Sequence, residues 1–144
     1  MAHLTDTDRD AFLATLTPGA DIDHRGTPFT EDLLNLLLHA IIDPTTAHPR
    51  LGTARFNDAQ FSGTAWFKGA QFFGDAWFEG AQFFGDAQFR EVQVSGIARF
   101  ARAQFVGAAR FGSTQFASVA AVHNAQFFRD AAFDRAQFSD DAWF

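Results

Sequence analysis

The chain has 144 residues, enough for one domain with a real core, and it carries 20 Phe and 3 Trp but no Tyr and no Cys. Without cysteine there is no disulfide framework, thiolate metal site or cysteine nucleophile, which fits a reducing compartment. The net charge of −6 sits mostly in residues 1–53 (three Arg against eight Asp/Glu), leaving residues 54–144 near neutral at −1, too little positive charge for a nucleic-acid groove.

The first predicted element is a short helix over residues 6–15. It starts near Thr5 or Thr7, with Asp6, Asp8 and Asp10 in its first turns and Phe12, Leu13 and Leu16 as its apolar side. Pro18-Gly19 ends it. The N-terminus lacks the basic region and apolar run of a secretory signal, so the expected location is the cytoplasm. Thr30-Glu31-Asp32 opens a second helix through about Ile42, closed by Asp43-Pro44. Its apolar stretch, broken by Asn35 and His39, is far short of the ~20 residues that cross a bilayer. It has no Lys or Arg, which weighs against a membrane-surface helix. Its many Leu and Ile exceed one amphipathic face, so it is expected to plug the first repeat and cover its strand edges. Residues 1–53 are therefore assigned to an N-terminal helical cap and residues 54–144 to a repeat domain.

From Ala54 onward the triplet Ala-X-Phe recurs, its Phe at 56, 61, 67, 72, 78, 83, 89, 100, 105, 111, 116, 127, 133, 138 and 144. Val94 and Val122 fill the two gaps on schedule. The steps alternate 5 and 6 across 88 residues, so the unit is eleven residues long and occurs eight times. The residue two before each centre is Ala in 15 of 17 cases, Val92 and Thr114 being the others. In an extended segment those two residues share a face and the one between points away. Ala and Phe thus face inward, and each Phe is buried only when units stack. Burial stabilises by roughly 1.5–3 kcal/mol per Phe. The six-residue steps carry Gly63, Gly74, Gly85, Gly96 and Gly107, then Ser118, Arg129 and Asp140. Glycine there suits either a positive φ or a close backbone approach. The five-residue corners are mixed, as in Asn57-Asp58 and Arg90-Glu91. An eleven-residue period is compatible with a two-sided coil of 11 residues or a four-sided coil of 22.

The runs AQFFGDAWFEGAQFFGDAQF and AQFSGTAWFKG resemble the pentapeptide-repeat family, in its Phe-centred actinobacterial variety, over residues 54–144. The resemblance implies a right-handed quadrilateral β-helix, hence an all-β solenoid of about four 22-residue coils behind a short α-helical cap. The inserted residue at every second side departs from the family's five-residue sides. On the same resemblance, Gly19–Gly26 is a degenerate coil. The sequence stops on a repeat centre, Asp141-Ala142-Trp143-Phe144. A bare solenoid end exposes core and a ladder edge, so the expectation is a longer array or pairing with another copy (a homodimer) through that end.

No motif for catalysis is present. His3, His24, His39, His48 and His123 have no metal-ligand spacing, and neither GxSxG, P-loop nor GxGxxG occurs in a suitable context. Asp21-Ile22-Asp23-His24 is read as a solvated corner. Gly-Asp at 74–75 and 85–86 is like calcium-binding β-rolls, but in a 22-residue coil Asp75 would stack on Ile97 and Asp86 on Ala108, so calcium is not expected. The expectation is no catalytic residue, no cofactor and no metal.

The outward positions carry the pattern. Gln occupies one strand of every unit, at 60, 71, 82, 93, 104, 115, 126 and 137, expected to form two amide ladders on opposite faces. The other strand carries Arg55, Trp66, Trp77, Gln88, Arg99, Arg110, Ala121, Ala132 and Trp143, with Trp77 expected between Arg55 and Arg99 as a cation–π column. Phe84, Val106 and Phe128 form a further, partly exposed column. The candidate interaction surface is Arg55, Trp66, Trp77, Phe84, Arg99, Phe128, Trp143 and Phe144. The expected function is a non-enzymatic scaffold, a rigid rod for protein–protein contact or self-association, without membrane or direct nucleic-acid binding. The resemblance implies an alternative: some family members imitate duplex DNA and bind DNA gyrase. That needs a dense anionic surface, whereas this repeat region is near neutral with Arg99, Arg102 and Arg110 in its middle.

Overall fold

The computed structural model describes residues 5–144. Helix α1 spans Asp6–Ala14, with the Thr5 hydroxyl accepting from the Asp8 N–H at its start. Strands β1 (Ala20–Asp23) and β2 (Pro28–Phe29) follow, then helix α2 (Glu31–His39), strand β3 (Ile42–Asp43) and strand β4 (His48–Arg55). Two-residue strands then repeat from Gln60–Phe61 to Ala142–Trp143.

Parallel pairing joins residues 22 apart, as in Ala65, Ala87 and Ala109, or Gln82, Gln104 and Gln126. Each turn of chain thus lays four strands into four columns: a parallel β-solenoid with four-sided coils. Strand β4 rounds a corner and belongs to two columns at once, pairing through Arg50-Leu51 with Gln71-Phe72 and through Ala54-Arg55 with Ala76-Trp77. It runs without a break across position 53/54.

The Phe side chains fill the interior as parallel piles. Phe61, Phe83, Phe105 and Phe127 stack with centroids 4.8–4.9 Å apart and planes within 7°. Phe67, Phe89, Phe111 and Phe133 do the same at 4.9–5.0 Å. Neighbouring piles meet edge to face, as at Phe78–Phe89 (5.3 Å, 89°), the arrangement the ring quadrupole favours. Val94 interrupts the pile of Phe72 and Phe116. The larger Val92 at the usual Ala position takes up part of the lost volume, and both are buried. Thr114, at the other non-Ala position, is buried and its hydroxyl donates to the Phe89 carbonyl.

The two corner types divide the sequence's open choice for glycine. Every five-residue step contains one left-handed residue, at Asp58, Gly69, Gly80, Glu91, Arg102, Ser113, Asn124 and Arg135, with φ between 55° and 75°. Only two of these are glycines. The six-residue corners have ordinary φ, and their glycines answer to crowding. A Cβ on Gly96 would lie 2.6 Å from the carbonyl carbon and oxygen of Gly74 directly beneath it. Gly74 N–H bonds to Gly52 O (3.3 Å) and Gly96 N–H to Gly74 O (3.2 Å). No such bond continues from Ser118, and none links Gly63, Gly85 and Gly107 in the opposite file.

The N-terminal segment forms the first coil. Ile22 pairs with Ala54 and Phe29 with Phe61, so His24 and Phe29 stand where later coils have Phe. Helix α2 replaces the strand that would precede Ala65–Trp66. Its Leu33, Leu34, Leu37 and Leu38 are buried, and Glu31 accepts from the Thr64 N–H (3.0 Å) and from Trp66 Nε1 (3.3 Å). This helix is shorter than its apolar run suggests. It stops at His39, and Ile42–Asp43 pairs antiparallel with His48–Pro49. Pro44 disfavours helical geometry at Asp43, whose carbonyl accepts from the Ala47 N–H (2.8 Å) to close a tight turn. Among the described residues no helix is long and apolar enough to cross a membrane.

Candidate interaction surface

The 22-residue register sorts the outward residues into files. One Gln file is bonded through its amides, Gln82 Nε2 to Gln104 Oε1 (3.2 Å) and Gln104 Nε2 to Gln126 Oε1 (3.3 Å). Gln71, Gln93, Gln115 and Gln137 share the other file, and no amide-to-amide bond links them.

Arg55, Trp77, Arg99, Ala121 and Trp143 form another file. The Arg99 guanidinium lies 4.5 Å over the Trp77 ring, a cation–π contact on one face of the indole. Arg55, on the other side of Trp77, makes no such contact. Glu79 supplies the countercharge, 3.6 Å from Arg99 and 3.5 Å from Arg102. Trp66 shares its file with Gln88, Arg110 and Ala132, and its indole N–H binds Glu31, so it ties the cap helix to the rod.

Phe84, Val106 and Phe128 are 49%, 38% and 62% exposed, a contiguous apolar file beside the bonded Gln file. Trp143 and Phe144 are also exposed, and Phe144 packs edge-on to Phe133 and Phe138. Phe73 lies outside the residues expected from the sequence and is as exposed as Phe84. Its file continues with Ser95, Ala117 and Ser139, so it is a single ring, half-exposed with the Arg50 guanidinium 4.2 Å over one face. The doubled Phe72-Phe73, like Phe83-Phe84, is the sequence signal that marks it.

Of the expected solvated corner, Asp21 and Asp23 are exposed but His24 is not. His24 is buried among Phe12 (5.9 Å), Phe29 (5.6 Å) and Phe56 (6.3 Å), with Nε2 lacking a partner. Burial pushes its pKa down to about 4, against a smaller opposing pull from Asp23. Asp21 accepts from the Thr53 N–H (2.8 Å), and Asp23 is paired with Arg25 (2.8 Å), which lowers the Asp23 pKa. The Gly-Asp pairs have the same structural use. Asp75 accepts from the Ile97 N–H (2.8 Å) and Asp86 from the Ala108 N–H (3.0 Å), each bridging one coil to the next. Among the described residues no group of three or more His, Asp or Glu is placed to hold a metal ion.

The family model described as pentapeptide repeats (9 copies) matches residues 51–93. No curated protein and no solved structure matches the chain. The matched segment opens at Leu51, the residue that stacks on Phe72, and its period continues unbroken to Phe144. With that register and its four-sided parallel coils, the chain is similar to pentapeptide-repeat proteins over residues 51–93 and carries the same repeat architecture beyond them.

Proposed function

We propose that this repeat scaffold is a non-enzymatic interaction rod that presents flat, patterned faces to a protein partner, a second copy of the chain included. The observation that carries the reading is the exposed file Phe84–Val106–Phe128. Its members stand next to Phe83, Phe105 and Phe127, whose stacked rings hold the file in line. Contiguous apolar surface of this kind marks partner sites. A file fixed in advance by the core also keeps the ordering cost of binding low. The DNA-mimic alternative finds less support, because the acids form no continuous row. Asp75 is followed in its file by Ile97, Asp86 by Ala108, and Glu79 is neutralised by two arginines. The reading assigns the rod to the cytoplasm, in keeping with a chain without cysteine.

The test compares the wild-type chain with Phe84→Ser/Phe128→Ser, by sedimentation for self-association and by cross-linked capture for other partners. The double variant is expected to lose at least tenfold in association at an unchanged melting temperature. Undiminished association would remove this face from the reading.

A further inference from the structure

We infer that the notch over Ala121 is a docking slot for one planar aromatic side chain of a protein partner. The inference rests on the scaffold reading and narrows it to a single place. In the file Arg55–Trp77–Arg99–Ala121–Trp143, four levels carry long, flat side chains and one carries a methyl group. The Arg99 guanidinium has one face on Trp77 at 4.5 Å, so its other face is turned along the file toward the level of Ala121. On the far side of that level stands Trp143, 58% exposed. The result is a groove of about 500 Å³ lined by Ile97, Arg99, Val119, Ala121, His123 and Trp143.

The spacing selects the occupant. Successive levels are about 4.8 Å apart, so Arg99 and Trp143 are separated by roughly twice that. A ring at the Ala121 level would lie within stacking range of both, since cation–π contacts reach about 6 Å and aromatic centroids pair at about 4.5–7 Å. Trp77 already shows the packing on the opposite face of Arg99. The charge of Arg99 is met by Glu79 at 3.6 Å, so the slot favours an uncharged ring over an anion. Ile97 and Val119 give it an apolar wall, and Ala121 a closed floor, 6% exposed. The outer edge is open. A ring therefore enters edge-on while the body that carries it stays outside, which suits a side chain better than a free compound.

The experiment follows the Ala121 and Val119 methyl signals of the full chain by NMR. The probes are a short peptide with one central Trp, the same peptide with Leu, and adenosine. Saturable shifts with the Trp peptide are expected, at least tenfold weaker with the Leu peptide or adenosine. Ala121→Trp completes the file and should abolish the shifts; Trp143→Ala, a change at an exposed residue, should weaken binding about fivefold. Equal binding of Leu and Trp peptides, preference for adenosine, or binding that survives Ala121→Trp in a folded rod would overturn the inference. So would a partner whose capture is lost in Phe84→Ser but unchanged in Ala121→Trp, an outcome that leaves the scaffold reading standing. Trp-peptide binding at the slot with no partner association through either face would instead support the slot and sink the scaffold reading.

Discussion

The first coil and the coils stacked on it build the same cross-section by different means. Inner coils put Phe at most centres and small Ala before it; the first coil uses Ile22, His24, Phe29, helix α2 and Leu51. The inner positions are constrained from both sides, since a ring must stack on one beneath and receive one above. A first-coil residue meets a repeat on one side only, and on the other the cap adapts to it, as Phe12 does to His24. Position in the stack, more than local sequence, decides which residue is required.

Four substitutions sharpen this contrast. The largest effect is expected inside the stack, at Gly96→Ala. Its new Cβ would press on the Gly74 carbonyl, costing about 2–3 kcal/mol in a denaturant melt. A loss under about 0.5 kcal/mol, the scale of an ordinary surface change, would show that inner corners yield as freely as the corner at Ser118.

Next comes acid sensitivity confined to the first coil. His24 binds a proton near pH 4 when folded but near 6.5 when unfolded, so its neutral form is the one the fold favours. Its contribution is complete above pH 6.5 and is lost as the pH falls toward 4, by an amount on the order of 2 kcal/mol. His24→Phe should flatten that limb of the stability–pH curve and raise stability at acid pH. Superimposable curves would mean that the buried imidazole carries no linkage.

Smaller still is Gly26→Ala. Gly26 has φ +68°, and an added Cβ would meet nothing within 4 Å, so only the left-handed strain counts, about 1 kcal/mol by thermal or denaturant melt. The smallest effect has the opposite sign. Glu91 adopts the same conformation at φ 59°, so Glu91→Gly relieves strain while adding unfolded-state entropy, for a gain below about 1 kcal/mol. Destabilisation by Glu91→Gly would show that this corner depends on its side chain.

The inner coils were legible because one stacking problem is solved repeatedly by one triplet. Asp75 on Ile97 and the Gln files follow from the 22-residue coil alone. Leu51 is hidden because it precedes Phe56 by five residues where the alternation demands six, and it lacks the Ala two places earlier. Phe29 follows Pro28 and carries no trace of the triplet. The left-handed corners are hidden too, because Asp, Glu, Arg, Ser and Asn occupy them as well as Gly, so composition gives no sign of φ. At the surface, the files were readable from register, but the Glu79 pairing and the Trp66–Glu31 bond were not. Both depend on where long side chains reach across corners.

The mismatch between an eleven-residue unit and a 22-residue coil sets a grammar for changes in length. Duplicating 22 residues adds a whole coil, lengthens the rod by about 4.8 Å and leaves every downstream file in place. Duplicating one unit preserves the core just as well, because each centre still lands on a centre. It also carries everything downstream halfway around the rod. Phe128 would leave the file of Phe84 and Val106 and join that of Phe73 and Ser95 on the opposite side. The interior counts in elevens and the faces count in twenty-twos, so an insertion silent to folding can erase a binding face.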